Sequence, residues 1–140
     1  MTAGAIPMVS YRDVAAAADW LRSAFGFEER AERIADASGR VTHVELDNGD
    51  GKVMLGWPGP AYLDPADHAK VCERAARWLD VPWVVDGVLI TVHDVDAHHE
   101  RAAASAAMIL RDPEDLPPGR LYSAADPWGH RWMFLQPRDG

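Results

Sequence analysis

The residues with the most evident capacity for chemistry lie in one short run, "HDVDAHHE" at positions 93–100, which packs three histidines, two aspartates and a glutamate together. Imidazole and carboxylate are the donors that zinc, iron or manganese would take, so the run poses the question of a metal site. Spacing decides it. His98 and His99 are adjacent and diverge by about 100° around a helix, so they do not face one ion together, whereas a zinc-binding pair takes a spacing of about four. Asp94 stands where a strand gives way to a helix and reads as an N-cap. Asp96 and Glu100 fall in the first two turns, where negative charge complements the helix dipole. The run therefore predicts a solvated helix start. His93 shares a strand face with Leu89 and Thr91 and reads as a rim histidine bonded to water.

A second pair is His43 and Glu45, on one face of "RVTHVEL" with Val44 and Leu46 on the other. If the apolar pair packs under helices, the polar pair faces the opposite way. There it could orient a ligand or act as a base with its partner, which makes these two the candidate catalytic residues. A cross-strand ion pair on an exposed sheet face is the competing reading. As metal ligands they are too few. The only cysteine, Cys72, cannot form an internal disulfide or begin a thiolate cluster, and is expected as a small buried residue on a helix. No nucleophile elbow, phosphate-binding glycine loop or redox cysteine pair appears.

Composition narrows the partners. The 140 residues carry 14 Lys and Arg against 22 Asp and Glu, a net charge of -8, which argues against nucleic acid and anionic membranes. No signal pattern and no apolar run long enough for a bilayer is present, so the expectation is a soluble, cytoplasmic protein.

The elements that must position these residues repeat. "MVSYRDVAAAADWLRSAFGF" from Met8 and "LITVHDVDAHHERAAASAAM" from Leu89 align through Asp13-Val14 and Asp94-Val95. Each is a strand running into a helix. In the first, Val9 and Tyr11 alternate with Ser10 and Arg12. Asp13 then caps a helix with Val14, Ala17, Ala18, Leu21, Ala24 and Phe25 at helical spacing, closed by Gly26. The second helix is expected to reach about Met108. Three strand-like runs follow each helix: near 28–34, 40–46 and 52–57 in the first half, and near 108–111, then past a proline-rich loop 120–126 and 130–136 in the second. Between the halves, "DPADHAKVCERAARWLD" predicts one connecting helix, with Asp64 as N-cap, Pro65 at its first position, and Val71, Ala75, Trp78 and Leu79 on one face.

Two such units, with "YRDVAAAADWLRSAFGFEE", "RVTHVELDNGDGKVMLG" and "DPWGHRWMF" in that order, resemble the vicinal oxygen chelate superfamily, which includes glyoxalase I, extradiol dioxygenases, and fosfomycin and bleomycin resistance proteins. The resemblance covers about Ala5 to Pro137. It implies an α+β fold: two tandem βαβββ modules (5–57 and 87–137, joined by 58–86) in a single domain, 1–140, forming a curved eight-stranded mixed sheet around a cleft. It also implies a homodimer. The family's enzymes hold a divalent metal through the first and last strands of each module. Those positions correspond here to Ile6, Met54, Gly87 and Met133, none of which suits a hard divalent ion, with Asp86 beside Gly87 the single possible donor. No metal or cofactor is expected, and the resemblance is to the metal-free branch typified by bleomycin resistance proteins.

Strand alternation outward from those positions gives a cleft face of Ile6, Met8, Ser10, Met54, Gly56, Leu89, Thr91, Arg131, Met133 and Leu135. Three methionines on such a face either adapt to a bulky organic ligand or fill a collapsed core. Trp57, Trp83 and Tyr62, in loops read as near the cleft mouth, could stack on a planar ligand or pack against the connecting helix or a dimer partner. Trp132 and Phe134 alternate with Met133 and are expected in the core. Two functions follow as expectations: sequestration of a bulky aromatic or amphipathic small molecule, as in antibiotic resistance, or catalysis through His43 and Glu45 or an atypical metal site.

Overall fold

A computed structural model describes residues 4–80 and 87–139. The fold is α+β, and the chain divides between Tyr62 and Leu63 into two compact units. The first contains β1 (Met8–Ser10), α1 (Val14–Phe25), β2 (Glu28–Glu29), β3 (Ile34–Ala35), β4 (Val41–Asp47) and β5 (Lys52–Gly56). The second contains α2 (Pro65–Val71), α3 (Glu73–Trp78), β6 (Gly87–Thr91), α4 (Val95–Ala104), β7 (Met108–Leu116), β8 (Gly119–Ala125) and β9 (Arg131–Pro137). The repeated strand–helix–strands order is present in both.

In the first unit the sheet order is β1-β5-β4-β2, with β3 also on β4, and β1 runs parallel to β5. The segment expected as one strand near 28–34 is two strands of two residues each, and the β3 pairing shifts register between Ile34 and Ala35. Charged side chains explain the interruption: Arg30 turns to Glu28 and Asp47, and Arg33 to Glu29 and Asp19. Alternation sorts the long strands. Val9, Val44, Leu46, Val53 and Leu55 are buried, as are Val14, Ala17, Ala18, Leu21, Ala24 and Phe25 along α1. The Asp13 carboxylate accepts from the Ala16 N–H at 3.0 Å, and Gly26, at φ 75°, ends the helix in the left-handed conformation that glycine adopts without a Cβ clash.

In the second unit the order is β6-β9-β8-β7, with β6 parallel to β9. Trp132, Phe134, Tyr122 and Ala124 are fully buried on one side of the sheet, as are Val95 and Ala102 of α4. That helix stops at Ala104, short of Met108, because Ala106 takes a positive φ of 64° and Met108 already pairs with Ala125. The proline-rich loop expected after Arg111 is instead the continuation of β7 to Leu116. Pro113 is tolerated there because it falls at a pairing irregularity between Arg111 and Glu114, where no ladder N–H is needed.

The connecting helix is corrected too. It breaks at Cys72, which is extended (φ -141°, ψ 114°), so the residues before and after it do not share one helical face. Val71 is 74% exposed and Trp78 faces outward, leaving Ala75 as the buried residue of α3. Cys72 is a half-buried link rather than a helical core residue. Pro65 opens α2 as expected, but Asp64, though buried before it, makes no side-chain capping bond.

The turn "DPWG" is organised by one buried carboxylate. Asp126 Oδ1 accepts from the Trp128 and His130 N–H groups, both at 3.0 Å, and Oδ2 accepts from the Trp132 indole at 3.1 Å. Gly129, at φ 93°, lets the chain pass Ala66; a Cβ there would lie 2.7 Å from the Ala66 nitrogen. Asp126→Ala strands three donors, one on a fully buried indole. It is expected to cost about 2 kcal/mol, read as a lower urea midpoint with an unchanged m-value.

Candidate functional site

Each unit presents a sheet face opposite its buried side. In the first unit, Met8 stands opposite Met54 and Ser10 opposite Gly56, while Glu45 pairs across from Met54 and His43 from Gly56. Met8 is 68% exposed and Ile6, just before the strand, 46%; Met54, His43 and Glu45 are half-buried. In the second unit, Leu89 stands opposite Met133 and Thr91 opposite Leu135, and across β8 Ser123 meets Met133 and Leu121 meets Leu135. Leu89 is 47% exposed. An exposed methionine beside a half-buried one is not a filled core, so in the first unit the methionines form an accessible apolar surface.

Ile6, Met54, Gly87 and Met133, the positions expected from the resemblance to correspond to metal donors, carry no side chain suited to a divalent ion. Ile6 and Gly87 offer no donor, and the thioethers of Met54 and Met133 are soft and neutral. Among the described residues no three His, Cys, Asp or Glu side chains cluster as a ligand set elsewhere.

His43 and Glu45 share the Met54 face but do not form a pair with each other. The Glu45 carboxylate turns to Lys52 Nζ at 3.2 Å, its diagonal neighbour across the ladder. The ion pair weighed as an alternative is the arrangement present.

The remaining candidates scatter. The Tyr62 hydroxyl donates to the Ser10 carbonyl at 3.1 Å, tying the chain after β5 to the end of β1. The Trp57 ring is covered by the Arg40 guanidinium, 4.1 Å from its centre. Its backbone N–H donates to the Thr42 carbonyl at 3.0 Å, so Trp57 continues the parity of Val53 and Leu55, away from Met54. The Arg131 guanidinium donates to the Leu79 carbonyl beside a small apolar cavity that includes Met108 and Ala125. Trp83 and Asp86 lie outside the described residues.

The opening run is a helix start, with one correction. Asp94 caps through the Ala97 N–H at 3.1 Å, and Asp96 pairs with Arg120 at 3.2 Å. His98, however, is half-buried. Its ring packs at a tilt against Phe134 with centroids 4.2 Å apart, and Nδ1 lies 2.5 Å from the Tyr122 hydroxyl. Burial pushes the Tyr122 phenol well above its usual range, so it stays protonated and can donate. The signal was available, since His98 is three residues after Val95 and four before Ala102, both core positions. His99 points to Asp112, 3.8 Å away. His93 is exposed.

Comparison with known proteins agrees with this construction. The pattern described as the Glyoxalase/Bleomycin resistance protein/Dioxygenase superfamily matches residues 6–134. An uncharacterized protein of Mycobacterium bovis is 29% identical over 136 residues, covering 94% of this chain and 81% of its own. The crystal structure of TioX from Micromonospora sp. ML1 superposes with a TM-score of 0.69 at 29% identity, covering 99% of this chain and 98% of that one. The bleomycin-binding protein of Streptomyces verticillus, solved with copper(II)-bleomycin, shares the fold with a TM-score of 0.61 at 20% identity, over 99% and 98% of the two chains.

Proposed function

The chain belongs to the Glyoxalase/Bleomycin resistance protein/Dioxygenase superfamily, and on that premise we propose that it binds and sequesters a bulky aromatic or amphipathic small molecule without transforming it. One observation carries the reading. The first-unit face exposes Ile6 and Met8 around Met54, and the positions that the resemblance aligns with metal donors carry apolar or side-chain-free residues. Such a surface gains from removing apolar area from water, and flexible thioethers adapt to an irregular ligand. The copper(II)-bleomycin held by a protein of the same fold supports the ligand class. Catalysis through His43 and Glu45 is less well supported because Glu45 is engaged by Lys52.

The test is to incubate the protein with copper(II)-bleomycin and a panel of planar aromatic antibiotics, then recover each by mass spectrometry. The bound compound is expected back unchanged. His43→Ala is expected to shift affinity by no more than about two-fold, since a weak polar contact is worth a few tenths of a kcal/mol. After dialysis, elemental analysis is expected to find far less than one equivalent of nickel, zinc, iron or manganese per chain. A transformed compound whose turnover vanishes in His43→Ala, or a full equivalent of retained metal, overturns the proposal.

A further inference from the structure

The first unit carries a second concavity, on the side of its sheet opposite Met54. It encloses about 480 Å³ between the start of α1 (Arg12, Asp13), Arg40 and Trp57. Its walls are held by hydrogen bonds of the backbone and of the Asp36 and Tyr62 side chains. The Asp36 N–H donates to the Arg40 carbonyl at 2.9 Å and the Asp36 carboxylate accepts from the Arg40 N–H at 3.1 Å, closing the turn before β4. On the other side the Trp57 N–H is fixed to Thr42, and the Tyr62 hydroxyl to Ser10.

The charges in this cavity are unequal in availability. The Asp13 carboxylate accepts the Ala16 N–H as the helix cap. Asp36 sits beyond the cavity lining, bonded to Ser38 at 2.6 Å as well as to the Arg40 backbone. The Arg40 guanidinium lies over the Trp57 ring, and its charge helps hold the Asp36 carboxylate below its ordinary range from beyond direct ion-pair distance. A guanidinium laid on an indole loses hydration from one face yet keeps its N–H edge in the plane, where it can grip an oxyanion with two parallel bonds. The first turn of α1 adds positive potential from the same side.

We propose that this cavity is a binding site for a small planar carboxylate, its carboxylate held by the N–H edge of Arg40 and its ring lying beside Trp57. The volume lies in the range of small-molecule sites, and the Asp13 carboxylate at the rim selects against more highly charged anions such as phosphate. The site is independent of the sequestration proposed above, because it uses the opposite side of the sheet.

The experiment titrates the full chain with 2-naphthoate, its neutral analogue 2-naphthamide, and inorganic phosphate, observing the Trp57 indole N–H and the methionine methyls by NMR. Naphthoate is expected to shift the Trp57 signal saturably in the sub-millimolar range while the Met8 and Met54 methyls stay unmoved. Naphthamide and phosphate are each expected to bind at least about ten-fold more weakly, and Arg40→Gln to weaken naphthoate by about ten-fold or more. Arg40→Lys, which keeps the charge but not the planar edge, should fall between. Arg40 is exposed, and a dispersed spectrum of both variants verifies their fold. Equal binding of acid and amide, an Arg40→Gln affinity equal to wild type, tighter binding of phosphate, or shifts confined to Met8 and Met54 each overturns the site.

Discussion

Replacing Gly119 with alanine is expected to destabilise the second unit by about 3–5 kcal/mol, combining a strained backbone with a forced overlap. Gly119 closes the hairpin between β7 and β8 at φ 150°, and a Cβ there would stand 2.1 Å from the Gln136 carbonyl oxygen. The preceding turn residues, Pro117 and Pro118, have φ fixed by their rings, so the hairpin places its positive φ on the glycine. The neighbouring strand cannot retreat cheaply, because Arg120 to Ala125 pair with Gln136 to Arg131 residue by residue. Urea denaturation of Gly119→Ala beside wild type measures the cost, and a loss under about 1 kcal/mol would show that the strands relax around the methyl. The same register sets Leu121 and Ser123 opposite Leu135 and Met133 on the open face. A slip of β8 by one residue would turn Leu121 and Ser123 toward the α4 side.

The second large effect concerns recognition. Met54→Lys is expected to leave the fold intact yet weaken aromatic-ligand binding by about thirty-fold or more, the equivalent of about 2 kcal/mol for covering a hydrated ammonium with an apolar ligand. Lysine is chosen because Glu45 lies directly opposite Met54, so the new ammonium meets a carboxylate rather than a like charge. Met133→Glu, opposite Ser123, provides the corresponding change in the second unit. Circular dichroism and the urea midpoint separate the two possible failures. If Met54→Lys unfolds the protein, the methionine belongs to a sealed core and no open face exists; if it folds and binds as tightly as wild type, the ligand lies elsewhere.

What the sequence made legible follows from local physics. Asp13 with Gly26, and Asp94 four residues before His98, announce two helices through caps that need no tertiary partner. The buried and open sides of β4, β5 and β9 follow from alternation alone. What escaped depends on contacts between segments distant in sequence. The break at Cys72 carries no glycine or proline to mark it. Pro113 inside β7 is possible because β7 itself bulges there, with Asp112 and Pro113 set against Tyr122 alone on β8. The inward turn of His98 requires Tyr122 and Phe134, more than twenty residues downstream. For the site, identity was legible and direction was not. Glu45 and Lys52 are plain in the sequence, but their pairing depends on the β4–β5 register. Trp57 reads from the sequence as a loop residue near the cleft mouth, whereas its bond to Thr42 places it on the side of β5 opposite Met54.

The measurement that bears most directly on sequestration is a titration of the methionine-methyl-labelled protein with copper(II)-bleomycin and planar aromatic antibiotics, followed by NMR and intrinsic tryptophan fluorescence. The account predicts that at least one compound shifts the Met8 and Met54 methyls saturably, quenches fluorescence over the same concentration range, and leaves the protein chemically unchanged. A folded protein in which every compound in the panel leaves those methyls unmoved up to millimolar concentration would contradict it.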